Sequence, residues 1–258
     1  MTTQQFLGNL GIIATLMGVM ALIEWALPLF ARGARSRGRG AANLGLSSLT
    51  ILLNWALTSA AALVALRPSA THAGVAWIAA SIVVLDLATW IAHRTMHAIP
   101  LLWRAHSVHH SDPFLDVGTT LRQHPLEGLW RFAWLIGPVW LLGLPAGGVL
   151  LYRLISVLQG VLEHANVRVW SPLDRAVSLV WVTPNMHKVH HSRVQAQTDS
   201  NYGNLFALFD RAFGTFRRTD EAFDVTYGLD DVAPERAKSL PELLRLPFDR
   251  AREAVATG

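Results

Sequence analysis

The chain has 258 residues, of which 52% are hydrophobic and only 16% charged, below the usual quarter for a soluble protein. That balance points to a membrane protein. The absence of cysteine excludes a disulfide framework, a thiolate zinc site and an iron–sulfur cluster. The net charge of +4 is not read as nucleic-acid binding, because the basic residues lie mostly beside apolar runs, as membrane flanks do.

Three apolar stretches come first: Phe6 to Phe30, broken only by Glu24, then Asn43 to Leu66 with Asn54, then Val75 to Ala92 with Asp86. Each reaches roughly the 20 residues that carry a helix across a bilayer. The first lacks a basic leader and precedes Arg32, Arg35, Arg37 and Arg39, so it reads as an uncleaved span rather than a signal peptide. A fourth region, Phe132 to Leu162, contains Gly137-Pro138 and a breaker run from Gly143 to Gly148, and reads as a helical hairpin. From Arg217 the chain is polar, with a short amphipathic helix expected near Pro241 to Ala256.

The expected fold is all-α, an integral membrane bundle with about four or five membrane-embedded helices and a histidine-rich helical cap. The expected division is residues 1–74 as N-terminal spans, 75–216 as a catalytic domain and 217–258 as a polar cytosolic tail. Arginine residues 32–39 should stay cytoplasmic. Three spans and a hairpin then bring every histidine cluster to that side.

Those clusters are His93-Arg94-Thr95-Met96-His97, His106-Ser107-Val108-His109-His110 and His187-Lys188-Val189-His190-His191. His124 and His164 stand singly between the second and third, and His72 alone is unplaced. Residues four apart share a helix face, so His93 and His97 converge, and Asp86 lies two turns before them. Each HxxHH places two imidazoles in one turn and a third towards a neighbouring position. That suits two metals side by side. Imidazole favours iron, copper, nickel and zinc, whereas a catalytic zinc takes only three protein ligands. Asp86, Glu127, Glu163 and Asp199 are candidates to offset the metals' charge from behind the ligands.

Seven segments together resemble the fatty acid hydroxylase/sterol desaturase superfamily of membrane-bound non-haem di-iron oxygenases. They are His93–His97, Trp103–His110, Arg122–Glu127, Glu163–Asn166, Thr183–His191, Asp199–Asn204 and Phe209–Phe216. The resemblance covers roughly residues 90 to 216. It departs at Phe209-Asp210, where the family often has Trp-Asp. It implies oxidation of a lipid C–H bond by O₂ and two external electrons, by hydroxylation or desaturation. The substrate classes it leaves open are sterol, fatty acyl, carotenoid and ether lipid.

The resemblance further implies two iron ions held by His93, His97, His106, His109, His110, His124, His164, His187, His190 and His191. Zinc or another divalent metal is a possible occupant of a purified sample. Asn166, Asp199 and Asn201 match family positions behind the ligands, alongside Asp86. No haem-carrier segment is evident, so a separate electron-donor protein is expected, with Arg104, Arg193, Arg211, Arg217 and Arg218 as a basic dock for it.

Two other classes fit less well. A metal transporter needs polar residues strung along its spans, whereas here the histidines gather beyond the helix ends. A zinc-dependent membrane hydrolase needs an HExxH-type base, and no such motif occurs.

Overall fold

The computed structural model describes residues 2–66 and 74–249; His72 lies outside them. Every named element among these residues is helical, and the only β pairings are isolated bridges, Pro28 with Val167 and Trp181 with Phe206.

Helix α1 (Thr3–Ala26) opens on a capping box, in which the Gln5 N–H donates to Thr2 Oγ1 and the Thr2 N–H to Gln5 Oε1. It is apolar on all sides, and Leu7, Leu22 and Trp25 face outward. A helix of that kind needs an apolar solvent. Helices α2 (Gly40–Ala65) and α3 (Val75–Ala98) follow the expected spans closely. Pro100 then opens α4 (Pro100–His110). Proline fits the first helical turn, where no partner for its missing N–H is needed.

The hairpin differs from its expected limits. Helix α5 (Pro125–Leu142) starts seven residues before Phe132 and runs through Pro138, ending at Gly143 in the left-handed conformation with φ of 61°. Helix α6 (Ala146–His164) returns from it. Among the described residues, four helices are long and apolar enough to cross a membrane: α1, α2, α3 and α6. With this length and composition the protein is an integral membrane protein.

The spans meet in a core of Ala61, Leu85, Leu135, Val139, Val149, Tyr152 and Leu205. A Cβ at Gly148 would overlap the Ser81 side chain, so α6 and α3 approach there at backbone range, as small residues permit in membrane bundles.

The remaining helices are short: α7 (Ser171–Val177), α8 (Pro184–His190), α9 (Gln195–Thr198), α10 (Leu208–Ala212) and α11 (Leu240–Arg245). The amphipathic segment expected near Pro241 to Ala256 is helical only in α11 and a 3₁₀ turn to Phe248. Residues 250–256 of it lie outside the described residues. Leu243, Leu246, Ala237 and Val232 pack on Ala42, Leu46 and Val108, which docks the C-terminal segment against α2 and α4.

Candidate metal centre

Four helices deliver histidines to one end of the bundle. His93 and His97 sit on the last turns of α3. His106, His109 and His110 close α4, and His164 closes α6. Thr183 caps α8 by accepting the Met186 N–H, and that short helix brings His187, His190 and the following His191.

Nine of these rings fall into two groups whose ring nitrogens lie within 4.8 Å of one another. One holds His93, His97, His106, His110 and His190; the other holds His109, His164, His187 and His191. Each HxxHH motif splits between them: its i, i+4 pair serves one group and its middle histidine the other. In the first group His106 Nε2 lies 3.0 Å from His93 Nε2 and 3.1 Å from His110 Nε2. In the second, His164 Nε2 lies 3.1 Å from His109 Nε2 and 3.0 Å from His187 Nε2, which is 3.0 Å from His191 Nε2.

The opposite ring nitrogen is hydrogen-bonded in five of the nine, and in a sixth, His106, it faces a carboxylate oxygen without a hydrogen bond. His93 Nδ1 lies 2.9 Å from the Tyr202 carbonyl, His190 Nδ1 2.7 Å from that of Ser200, and His109 Nδ1 3.2 Å from that of Arg122. His164 Nδ1 lies 2.7 Å from the Gly160 carbonyl. His97 Nδ1 meets Asp199 Oδ1 at 3.2 Å and His106 Nδ1 meets Glu127 Oε2 at 3.1 Å. An oxygen acceptor at Nδ1 fixes the proton there and turns the Nε2 lone pair into the cluster.

Lone pairs aimed at each other across 3 Å repel unless a cation lies between them. Nitrogens that each bind one metal at about 2.0–2.1 Å fall about this far apart. His97 Nε2 and His190 Nε2 are also buried without a hydrogen-bond partner. The donor set therefore fits two metal ions, one in each group. Burial, the largest cause, pushes the pKa of His106, His109, His110, His187, His190 and His191 well below 6.5. They stay neutral, which is the form that binds metal.

His124 does not join either group. Its Nδ1 accepts the Leu126 N–H at 3.1 Å, capping α5, and its Nε2 faces the Leu244 carbonyl at 3.3 Å. Both ring nitrogens are committed to backbone, which leaves none for a metal.

Of Asp86, Asn166, Asp199 and Asn201, only Asp199 pairs with a histidine ring. Asp86 instead accepts from the N–H groups of Leu205 and Phe206 and from Asn204 and Tyr152, anchoring the loop that carries Tyr202. Asn166 pairs its side-chain amide with both backbone groups of Phe30. Asn201, at φ of 54°, accepts the Arg217 N–H and donates to the Met186 carbonyl, holding the turn between Ser200 and Tyr202.

Two supporting residues were not singled out from the sequence, although both lie in the motifs quoted above. Arg122 is fully buried; its guanidinium donates to the carbonyls of Val108 and Ala237, to Asn43 and to Ser111, while its own carbonyl faces His109. Asp210 accepts from Tyr202 N–H, Gly203 N–H, Trp90 and Thr215. The proposed arginine dock is largely engaged within the chain: Arg193 with Asp230, Arg217 with Glu221, Arg218 with Asp220, and Arg211 with the Ser178 carbonyl.

A chamber of about 90 Å³ opens onto His93, His109, His164 and His187, so it touches both groups. Asn54, Thr89, Gln123, Arg131, Ser156 and Glu163 give it a polar wall. Glu163 Oε1 lies 3.8 Å from His187 Nε2, and its Oε2 is buried with no hydrogen-bond partner.

A membrane bundle whose spans carry this paired imidazole site defines a class of histidine-rich membrane metalloproteins. The family model for fatty acid hydroxylase matches residues 78–215, and the chain belongs to that family. It is 33% identical over 170 residues to an ornithine lipid hydroxylase of Rhizobium tropici, covering 66% of this chain and 49% of that one. It is 32% identical over 147 residues to the alkylglycerol monooxygenase of Danio rerio, covering 56% of this chain and 31% of that one. The human alkylglycerol monooxygenase is 30% identical over 146 residues, with the same two shares, 56% and 31%. The chain thus spans about half the length, or less, of these curated relatives. No solved structure matches the chain.

Proposed function

We propose that this protein is a membrane-bound di-iron oxygenase that hydroxylates or desaturates a C–H bond of a lipid, using O₂ and electrons from a separate donor protein. The observation that carries the reading is the pair of adjacent all-imidazole groups, with Nε2 atoms 3.0–3.1 Å apart at one end of a membrane bundle. Family membership and the lipid-oxidising names of the relatives support it. Iron suits neutral imidazole donors, and two iron ions in such a site supply O₂ activation when bound.

His93, His97, His106, His110 and His190 would hold one ion, and His109, His164, His187 and His191 the other. The protein's own part is to bind and orient. Asp199 fixes the ring of His97, the Glu127 carboxylate lies against that of His106, and four backbone carbonyls fix four more rings. Close packing around the rings excludes bulk water, and the chamber presents one substrate carbon to them.

We place the site on the cytoplasmic side. Arg32 and Arg39, in the basic loop after α1, pair with Asp112 and Asp116 just beyond His110. The loop favoured on the inner face by its charge is therefore at the metal end of the bundle.

The test is metal analysis of purified protein joined to oxygen uptake and lipid profiling of cells with and without the active protein. Two iron ions per chain, with an oxygenated lipid that disappears in a His187→Ala variant, is the expected result. Zinc-only protein that is inactive after iron loading would overturn it.

A further inference from the structure

The chamber beside the histidines adjoins a second cavity, with which it shares lining residues. That cavity is a groove between α1, α2 and α6, lined by Phe6, Leu10, Ile13, Trp55, Leu150 and Leu154. Asn54, Leu121, Arg153 and Val157 line both spaces. Side by side, the two spaces mark out a path from an apolar face of the bundle to the metal-facing imidazoles. Its character changes where the two meet, from hydrocarbon side chains to Asn54, Ser156, Asn204, Thr89 and Gln123.

Arg153 stands at that junction. It lies on α6 eleven residues before His164, about 16 Å along the helix axis. Its guanidinium donates to Asn54 Oδ1 at 2.8 Å and to Thr58 Oγ1 at 3.2 Å, both neutral acceptors on α2. No carboxylate among the described residues pairs with it. Arginine has five N–H donors, so most of its capacity is not used by these two bonds. A guanidinium inside a membrane span without a counter-ion is costly, and such residues mark substrate paths. Arg131, the other arginine in the chamber, differs, because Glu127 neutralises it at 2.9 Å.

We propose that the groove takes the acyl chain of a lipid, that Arg153 with Asn54 takes the carbonyl ending that chain, and that the polar chamber takes a small headgroup. The proposal rests on the oxygenase reading and names its substrate class. The C–H bond presented to the histidines then lies on the headgroup side of the acyl carbonyl, not in the acyl chain. The order of surfaces along the path carries this: apolar, then hydrogen-bond donor, then polar, then imidazole. A hydrocarbon tail in the chamber would leave the buried Glu163 Oε2, which has no hydrogen-bond partner in the chain, without one. The lipid also keeps its natural orientation, with its tail towards the bilayer centre and its head at the metal end.

Trp55 in the groove allows a direct test on metal-depleted protein in detergent. The probes are 9,10-dibromostearoyl monoglyceride and 9,10-dibromo-octadecane, read by tryptophan quenching. The monoglyceride should half-saturate at a concentration at least tenfold below the hydrocarbon. Trp55→Phe should remove most of the saturable signal. Arg153→Met should erase the tenfold preference and leave the hydrocarbon unchanged, with Arg153→Lys intermediate. Equal half-saturation of the two probes by the native protein would overturn the proposal, whatever the variants do. So would saturable quenching that Trp55→Phe does not touch, or a preference that survives Arg153→Met. Because binding is read without metal, it fails or holds separately from oxygen uptake. A protein that discriminates the probes but takes up no oxygen when iron-loaded keeps this assignment and loses the oxygenase reading; the reverse result does the opposite.

Discussion

The rings of His110 and His191 lie face to face, their centroids 4.4 Å apart and their planes 18° from parallel, yet they belong to different nitrogen groups. His109 lies 4.6 Å from His191 within the second group, and His110 lies 4.7 Å from His190 within the first. The two HxxHH motifs thus exchange ligands: α4 gives two imidazoles to the first group and one to the second, and α8 does the reverse. Neither group can be completed by one helix, so loss of a ring from either motif should be felt selectively.

His190→Ala should remove a ligand from the first group while all four rings of the second remain. Metal content should fall from about two ions per chain towards one, because ligand loss weakens binding directly. His187→Ala should act on the second group instead. Elemental analysis with iron spectroscopy checks both, and His72→Ala should retain the full complement.

Glu127→Gln replaces the carboxylate 3.1 Å from His106 Nδ1 with an amide. Partners behind a ligand typically contribute a factor of about 10–100 in metal affinity, and the first group should weaken by that order. A chelator titration reads it. Equal weakening of both groups would show that Glu127 acts on the fold rather than on His106.

His124→Ala should leave both metals in place. It should cost about 1 kcal/mol of stability through the lost cap on α5. His124→Asn, a good capping residue, should recover most of that. Metal analysis checks the first expectation and thermal unfolding the stability changes.

Acid should destabilise the metal-free protein. Burial lowers the folded-state pKa of six histidines on α4 and at α8 well below 6.5. Below pH 6.5 the unfolded chain then binds more protons than the native one, so stability rises with pH across that window. Their contribution is fully present above about pH 6.5 and is lost as the pH falls below it. Melting of metal-depleted protein between pH 8 and pH 5 should show a falling midpoint, and bound metal should narrow the fall by holding the rings deprotonated.

Gly203→Ala should distort the loop that orients His93. A Cβ there would lie 2.7 Å from Val182 Cγ2 and 2.9 Å from the Phe206 carbonyl oxygen. The backbone must shift, and the Tyr202 carbonyl that faces His93 Nδ1 shifts with it. Metal in the first group should be lost more readily than metal in the second.

Much of this protein is written in local sequence. Long apolar runs give α1, α2 and α3, because hydrocarbon thickness sets their length and the backbone must satisfy its own hydrogen bonds there. The i, i+4 spacing of His93 and His97, and the split of each HxxHH between two positions, follow from the helical period alone. What folding decided is which imidazoles share a neighbour and which atoms stand behind them. His124 has the same side chain as His164, yet one lands at a helix start with both nitrogens bonded to backbone and the other at a helix end inside the cluster. Four of the five Nδ1 acceptors are backbone carbonyls, which every residue carries and no sequence pattern marks. Asp86 has helical register with His93 but turns to the loop at Leu205, because packing of α3 against α6 and that loop fixes which face meets which partner. Local chemistry set the donor types and their spacing; long-range contact set their assignment.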